Sequence, residues 1–114
     1  MNLNPRSQGN VLILAPQDRI DHASAEAFSK ALEPHLAECK ADGTPLVLDF
    51  GGIEYISSVG LRALMLAARQ VKAQNGRIAI AALTPVVKEV FEISRFNLVY
   101  KVFDNVDAAV AGVS

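Results

Sequence analysis

The stretch LVLDFGGIEYISSVGLRALMLAARQ, Leu46 to Gln70, decides how the rest of the chain is read. It begins with a continuous apolar run, Leu46 to Leu48, within a predicted buried strand from Leu46 to Phe50. It ends in a helical repeat: Leu61, Leu64, Met65, Ala68 and Val71 fall on one face, with Arg62, Arg69 and Gln70 away from it. Between the two lies a loop containing Gly51-Gly52, then Ile53 and the Tyr55-Ile56 pair, whose side chains are expected to pin it to the core. Two adjacent hydroxyls follow, Ser57 and Ser58, ahead of Gly60. A buried strand thus delivers two serines to the mouth of a helix.

Towards the amino terminus, Val11 to Ala15 is a second all-apolar run, bounded by Gly9 and Pro16, and reads as another buried strand. Residues 1–10 are polar and read as a loose end or a weak edge strand. After a loop, Ser24 is a candidate N-cap, and Phe28, Leu32, Leu36 and Cys39 mark a helix from Ala25 to Cys39. Pro34 inside it predicts a kink or an early end. Towards the carboxyl terminus, Asn75-Gly76 stops the central helix. Ile78 to Leu83 is a third strand, and Thr84-Pro85 opens a helix to about Arg95. Leu98 to Phe103 is a fourth strand, and Asn105 caps a short, alanine-rich last helix.

Apolar strands alternating with helices predict one α/β domain over 1–114, with a mixed, mostly parallel sheet of about four strands. In such a sheet the loops leaving the carboxyl ends of parallel strands gather at one edge. Those loops carry Asp18 to Ser24, Gly51 to Ser58, and Thr84. Asp21, His22, Ser57 and Ser58 are therefore expected on one surface despite their separation in sequence.

Composition narrows the function classes. The chain has 114 residues, half of them hydrophobic (51%) with few aromatics (6%), enough for one aliphatic core without metal or disulfide. A net charge of −1 argues against nucleic acid as a direct partner. Cys39 is the only cysteine, so no intrachain disulfide forms, and its helical position suits an inert packed thiol. Met1 to Asn10 has no apolar signal core and no run approaches about 18 apolar residues, so a cytoplasmic chain without membrane insertion is expected.

Ser58 can be read as an N-cap or as a phosphate acceptor, since a helix amino terminus tolerates added negative charge. Hydrolysis is disfavoured: YISSVG, Tyr55 to Gly60, is no nucleophile elbow, His22 stands next to Asp21 on a loop, and His35 lies on the first helix. No Lys-Ser or Lys-Thr follows the glycines, so a phosphate-binding loop fails too. Two scattered histidines and one cysteine make no metal site, and no cofactor is expected. Asp21, His22, Arg62 and Arg69 read either as solvated residues or as parts of a docking surface.

The run from Leu46 to Leu61 resembles the signature of STAS domains, the bacterial anti-sigma factor antagonists. Asp49, Tyr55, Ile56, Ser57, Ser58, Val59, Gly60 and Leu61 take the signature's places in order. Ile20-Asp21-His22-Ala23-Ser24-Ala25 is similar to the family's second element, an acid followed closely by Ser or Thr-Ala. The resemblance implies a non-enzymatic switch. Its Ser58 would be phosphorylated by a cognate anti-sigma factor that is also an ATP-dependent serine kinase, and restored by a PP2C-like phosphatase. It implies a partner-binding surface of Asp21, His22, Ser57, Ser58, Val59, Gly60 and Arg62. Ser57 stands where the family often has Asp, and Val59 where it often has Ser or Thr, so Ser57 stays open as an alternative acceptor. The other function class is a STAS subunit of an ABC-type lipid-transport complex, docking an ATPase without phosphorylation. A stressosome-like scaffold is a third.

Overall fold

A computed structural model describes all 114 residues. The strands are β1 (Arg6–Gln8), β2 (Val11–Leu14), β3 (Asp18–Ile20), β4 (Leu46–Asp49), β5 (Ile53–Ile56), β6 (Ile78–Ala81) and β7 (Lys101–Phe103). The helices are α1 (Ala25–Glu38), α2 (Ser58–Ala73), α3 (Pro85–Ser94) and α4 (Val106–Val113). Five strands form one sheet in the order β1-β2-β4-β6-β7. Its four inner and carboxyl-side strands run parallel, while β1 pairs antiparallel with β2, so the expected weak edge strand exists.

The apolar runs are continuous because the sheet is covered on both faces. Leu14, Leu46, Leu48 and Ile80 face α1, α2 and α3 in the larger core. Val11, Ile13, Val47, Ala79 and Ala81 face the other way, against Ala109 and Val113 of α4. Phe28, Leu32 and Leu64 are fully buried between the helices and the sheet, and each such side chain contributes about 1.5–3 kcal/mol. Tyr100 is buried too, its hydroxyl donating to the Leu64 carbonyl at 2.8 Å, and burial pushes its pKa well up. Cys39 is fully buried with its thiol against the Arg77 carbonyl, and desolvation raises its pKa.

Several sequence expectations are corrected. The fourth strand begins at Lys101, because Phe96–Leu98 forms a turn of 3-10 helix. α1 continues through the exposed Pro34 to Glu38 rather than ending early. The buried face of α2 is centred on Gly60, Ala63, Leu64, Ala67 and Val71, with Leu61, Met65 and Ala68 on its margin. The largest revision concerns the two loops at the carboxyl edge. Asp18–Ile20 and Ile53–Ile56 are strands, β3 and β5, paired parallel in a separate two-stranded sheet with a register shift between Asp18 and Arg19.

Candidate functional site

This small sheet builds the edge. The Asp18 N–H donates to the Gly52 carbonyl at 2.9 Å where the pairing starts, and the Ser57 N–H donates to the Ile20 carbonyl at 2.8 Å where it ends. Ile20, Ile53 and Ile56 point into the core and anchor both strands. The residues that follow, Asp21-His22 on one strand and Ser57-Ser58 on the other, therefore leave the sheet side by side. Thr84, from the third loop, joins them by donating its hydroxyl to the Ile53 carbonyl at 2.9 Å. Asp49 shapes the turn into β5, its carboxylate accepting the Gly51 N–H at 3.0 Å.

The two serines divide the work. Ser57, not Ser58, is the N-cap of α2: its backbone is extended and its hydroxyl accepts the Gly60 N–H at 3.2 Å. That corrects the reading of Ser58 as a cap. Ser58 is the first residue of the helix; its side chain is exposed and makes no hydrogen bond within the chain. Gly60 is buried because a Cβ there would meet the Ile20 carbonyl oxygen and the Ile20 and Ile56 side chains, each at 2.8 Å. Val59 and Arg62 are exposed on the outer side of α2's first turns.

Across from them, the side-chain cap expected at the start of α1 is absent. Ser24 stands at the N-cap position without a capping bond of its own. The Asp21 carboxylate instead accepts the N–H groups of Ala23 (3.0 Å) and Ser24 (3.1 Å), and the Asp21 carbonyl accepts the Ala25 N–H. The Ser24 hydroxyl accepts the Asp21 N–H at 3.0 Å and lies 2.9 Å from the Arg19 carbonyl. The Ser24 N–H, then its hydroxyl, hold the Asp21 carboxyl below the usual carboxylate range, with smaller help from the Ala23 N–H and Arg19. Asp21 is thus a fixed negative charge at the edge.

Arg19 carries no sequence signal, and Tyr55, the aromatic position of the signature, is not pinned inward as expected. Its ring is outside, 39% exposed, with the Arg19 guanidinium 5.3 Å from the ring centre. Arg19 also reaches Asp21 at 3.5 Å. Tyr55, Arg19 and Asp21 form one surface chain beside the serines, a pairing visible only once β3 and β5 are in register. His22 is exposed and makes no hydrogen bond to either serine, and His35 is remote on α1. No cluster of three or more potential metal-ligating side chains is present, and no helix is long and apolar enough to cross a membrane.

Comparison with known proteins places this geometry. The family model for the STAS domain matches residues 2–109. A relative from Bordetella bronchiseptica that bears the name of an anti-sigma factor antagonist, BtrV, is 35% identical over 111 residues, covering 97% of this chain and 93% of its own. Among solved structures, an anti-sigma factor antagonist from Mycobacterium paratuberculosis superposes with a TM-score of 0.84 at 19% identity, covering 96% of this chain and 90% of that one. The Bacillus cell fate determinant SpoIIAA, solved in its phosphorylated form, superposes with a TM-score of 0.69 at 15% identity over 97% and 98% of the two chains.

Proposed function

The chain belongs to the STAS domain family, and on that premise we propose that it is an anti-sigma factor antagonist switched by phosphorylation of Ser58. The observation that carries the choice of residue is the division between the two hydroxyls. Ser57 is engaged as the helix cap, whereas Ser58 is exposed and unbonded one position later. A kinase can take Ser58 without first breaking a contact that holds the fold.

In its unphosphorylated form the edge offers a partner Asp21, His22, Val59 and Arg62 around the serines, framed by Tyr55 and Arg19; Gly60, expected on this surface, is instead buried beneath it against Ile20 and Ile56. The partner is an anti-sigma factor with serine kinase activity, and its engagement releases the sigma factor. In the same complex the Ser58 Oγ attacks the γ-phosphorus of ATP. The new O–P bond forms as the bond to ADP breaks, and the hydroxyl proton passes to a base of the kinase. The product gains about −1.5 to −2 charges at neutral pH. The amino end of α2, which has no acidic residue in its first turn, accommodates them. On the outside the same charges add to the fixed carboxylate of Asp21 and change what the edge attracts. A PP2C-like phosphatase returns the hydroxyl.

The test is incubation with the cognate kinase and ATP, read by intact mass. One phosphate is expected, retained in Ser57→Ala and lost in Ser58→Ala. Unchanged incorporation in Ser58→Ala would overturn the assignment. Binding of an ATPase partner with no incorporation at all would favour the transport-complex class instead.

A further inference from the structure

At the far end of α2 lies an open groove of about 620 Å³ that the serine switch does not use. It is bounded by the second half of α2, the amino ends of β6 and β7, and the end of α4. Its α2 lining runs from Met65 to Lys72, so Ser58 lies roughly 10 to 20 Å back along the helix at the α-helical rise. Met65, Ala68, Ile78 and Val99 contribute apolar surface to its lining. Leu98, also in the lining, is 78% exposed, the most exposed large apolar side chain of the molecule.

Four cations stand around this apolar surface: Arg69 and Lys72 on α2, Arg77 just before β6, and Lys101 at the start of β7. No Asp or Glu lines the groove. None of the four makes a salt bridge, since the chain's ion pairs are Arg6–Asp49, Arg19–Asp21 and Lys30–Glu26. The end of α2 does not claim them either. Its carbonyls at Val71 and Lys72 accept the N–H groups of Gly76 and Asn75, at 2.9 and 3.1 Å.

We propose that this groove binds a single-chain anionic amphiphile, its tail along the apolar lining and Leu98, and its carboxylate or phosphate head among Arg69, Lys72, Arg77 and Lys101. The volume falls in the range of small-ligand sites, which combine an apolar lining with a few placed polar groups. The charge is complementary to an anionic head and repels a cationic one.

Laurate, below its micelle concentration, is titrated into the full ¹⁵N-labelled chain and followed by amide shifts. Dodecyltrimethylammonium, with the same tail and the opposite charge, is run in parallel, as are phosphatidylglycerol vesicles. Saturable shifts are expected at Leu98, Val99 and Lys101 with laurate, and much weaker ones with the cation. Arg69→Gln/Lys101→Gln and Leu98→Ser change only exposed side chains and are expected to weaken laurate by about tenfold or more, with an unchanged circular dichroism spectrum. The proposal is overturned by absent or non-saturable laurate shifts, by shifts confined to another surface, by equal affinity for the cationic amphiphile, or by unaltered laurate binding in the charge variant. Binding to vesicles alone also overturns it, in favour of a membrane-surface contact.

Discussion

At the start of α2 a glycine, Gly60, lies under Ile20 and Ile56; near its end another, Gly76, lies against the Cys39 backbone. Both allow a close approach that a Cβ would block, and together they clamp the helix to the segments around it. The surroundings then diverge. The start is held by side chains and by the β3–β5 pairing, and it presents a free hydroxyl beside a carboxylate. The end is held against backbone: Asn75 takes the left-handed position (φ 58°), and the Gln74 side-chain amide donates to the Leu36 and Cys39 carbonyls at 2.8 Å. The end presents cations. One rigid helix therefore carries two distinct surfaces, a serine edge with a fixed carboxylate and a groove ringed by unpaired cations, and its start is the end whose supports are more able to give.

Substitution can break that contrast. Gly76→Ala should have the largest effect, a loss of about 3 kcal/mol by urea denaturation, because its Cβ would collide with the Cys39 carbonyl. Gly60→Ala should cost about 2 kcal/mol, since two of its three nearest atoms belong to side chains that can shift. Equal or reversed losses would show that the start is as rigid as the end. Ser57→Ala should cost about 1 kcal/mol through the lost cap, while Ser58→Ala should stay within about 0.5 kcal/mol. A destabilised Ser58→Ala would remove the distinction between the hydroxyls.

The smallest effect is the acid response of Asp21. Its folded pKa is lowered, so its contribution is present above the ordinary carboxylate range and is lost as pH falls through the folded value. The stability gap between the wild-type chain and Asp21→Asn should therefore narrow below about pH 4. A gap independent of pH would mean that the carboxylate does not hold the turn.

The elements with strong apolar periodicity were legible: the strands β2, β4 and β6, the four helices, and the cap at Asn105, whose side chain accepts the Ala108 N–H at 2.8 Å. The carboxyl edge was legible as a place, because parallel strands dictate it. What stayed hidden is nonlocal. Asp18-Arg19-Ile20 has no alternation to mark a strand, and Asp18 even begins it with a left-handed backbone (φ 71°). Only its partner, β5, makes it one. The cap at Ser57 was missed by one position, the scale at which helix ends blur in sequence. No side chain caps α1: Asp21 instead closes the turn ahead of it, its carboxylate accepting the Ala23 and Ser24 N–H groups at once. The groove cations had no motif at all, since they come from three elements.

The pairing of β3 with β5 also has a consequence in time. It joins residues more than thirty positions apart, and the intervening chain includes all of α1 and β4. The central β2–β4 pairing closes a loop of similar length but buries apolar strands on both faces, whereas β3 and β5 gain little until Ile20, Ile53 and Ile56 have a core to enter. The order of events favoured by this topology is central sheet first, serine edge last. A chain still folding then displays neither hydroxyl in its native setting, and the switch comes into being only on a molecule already complete.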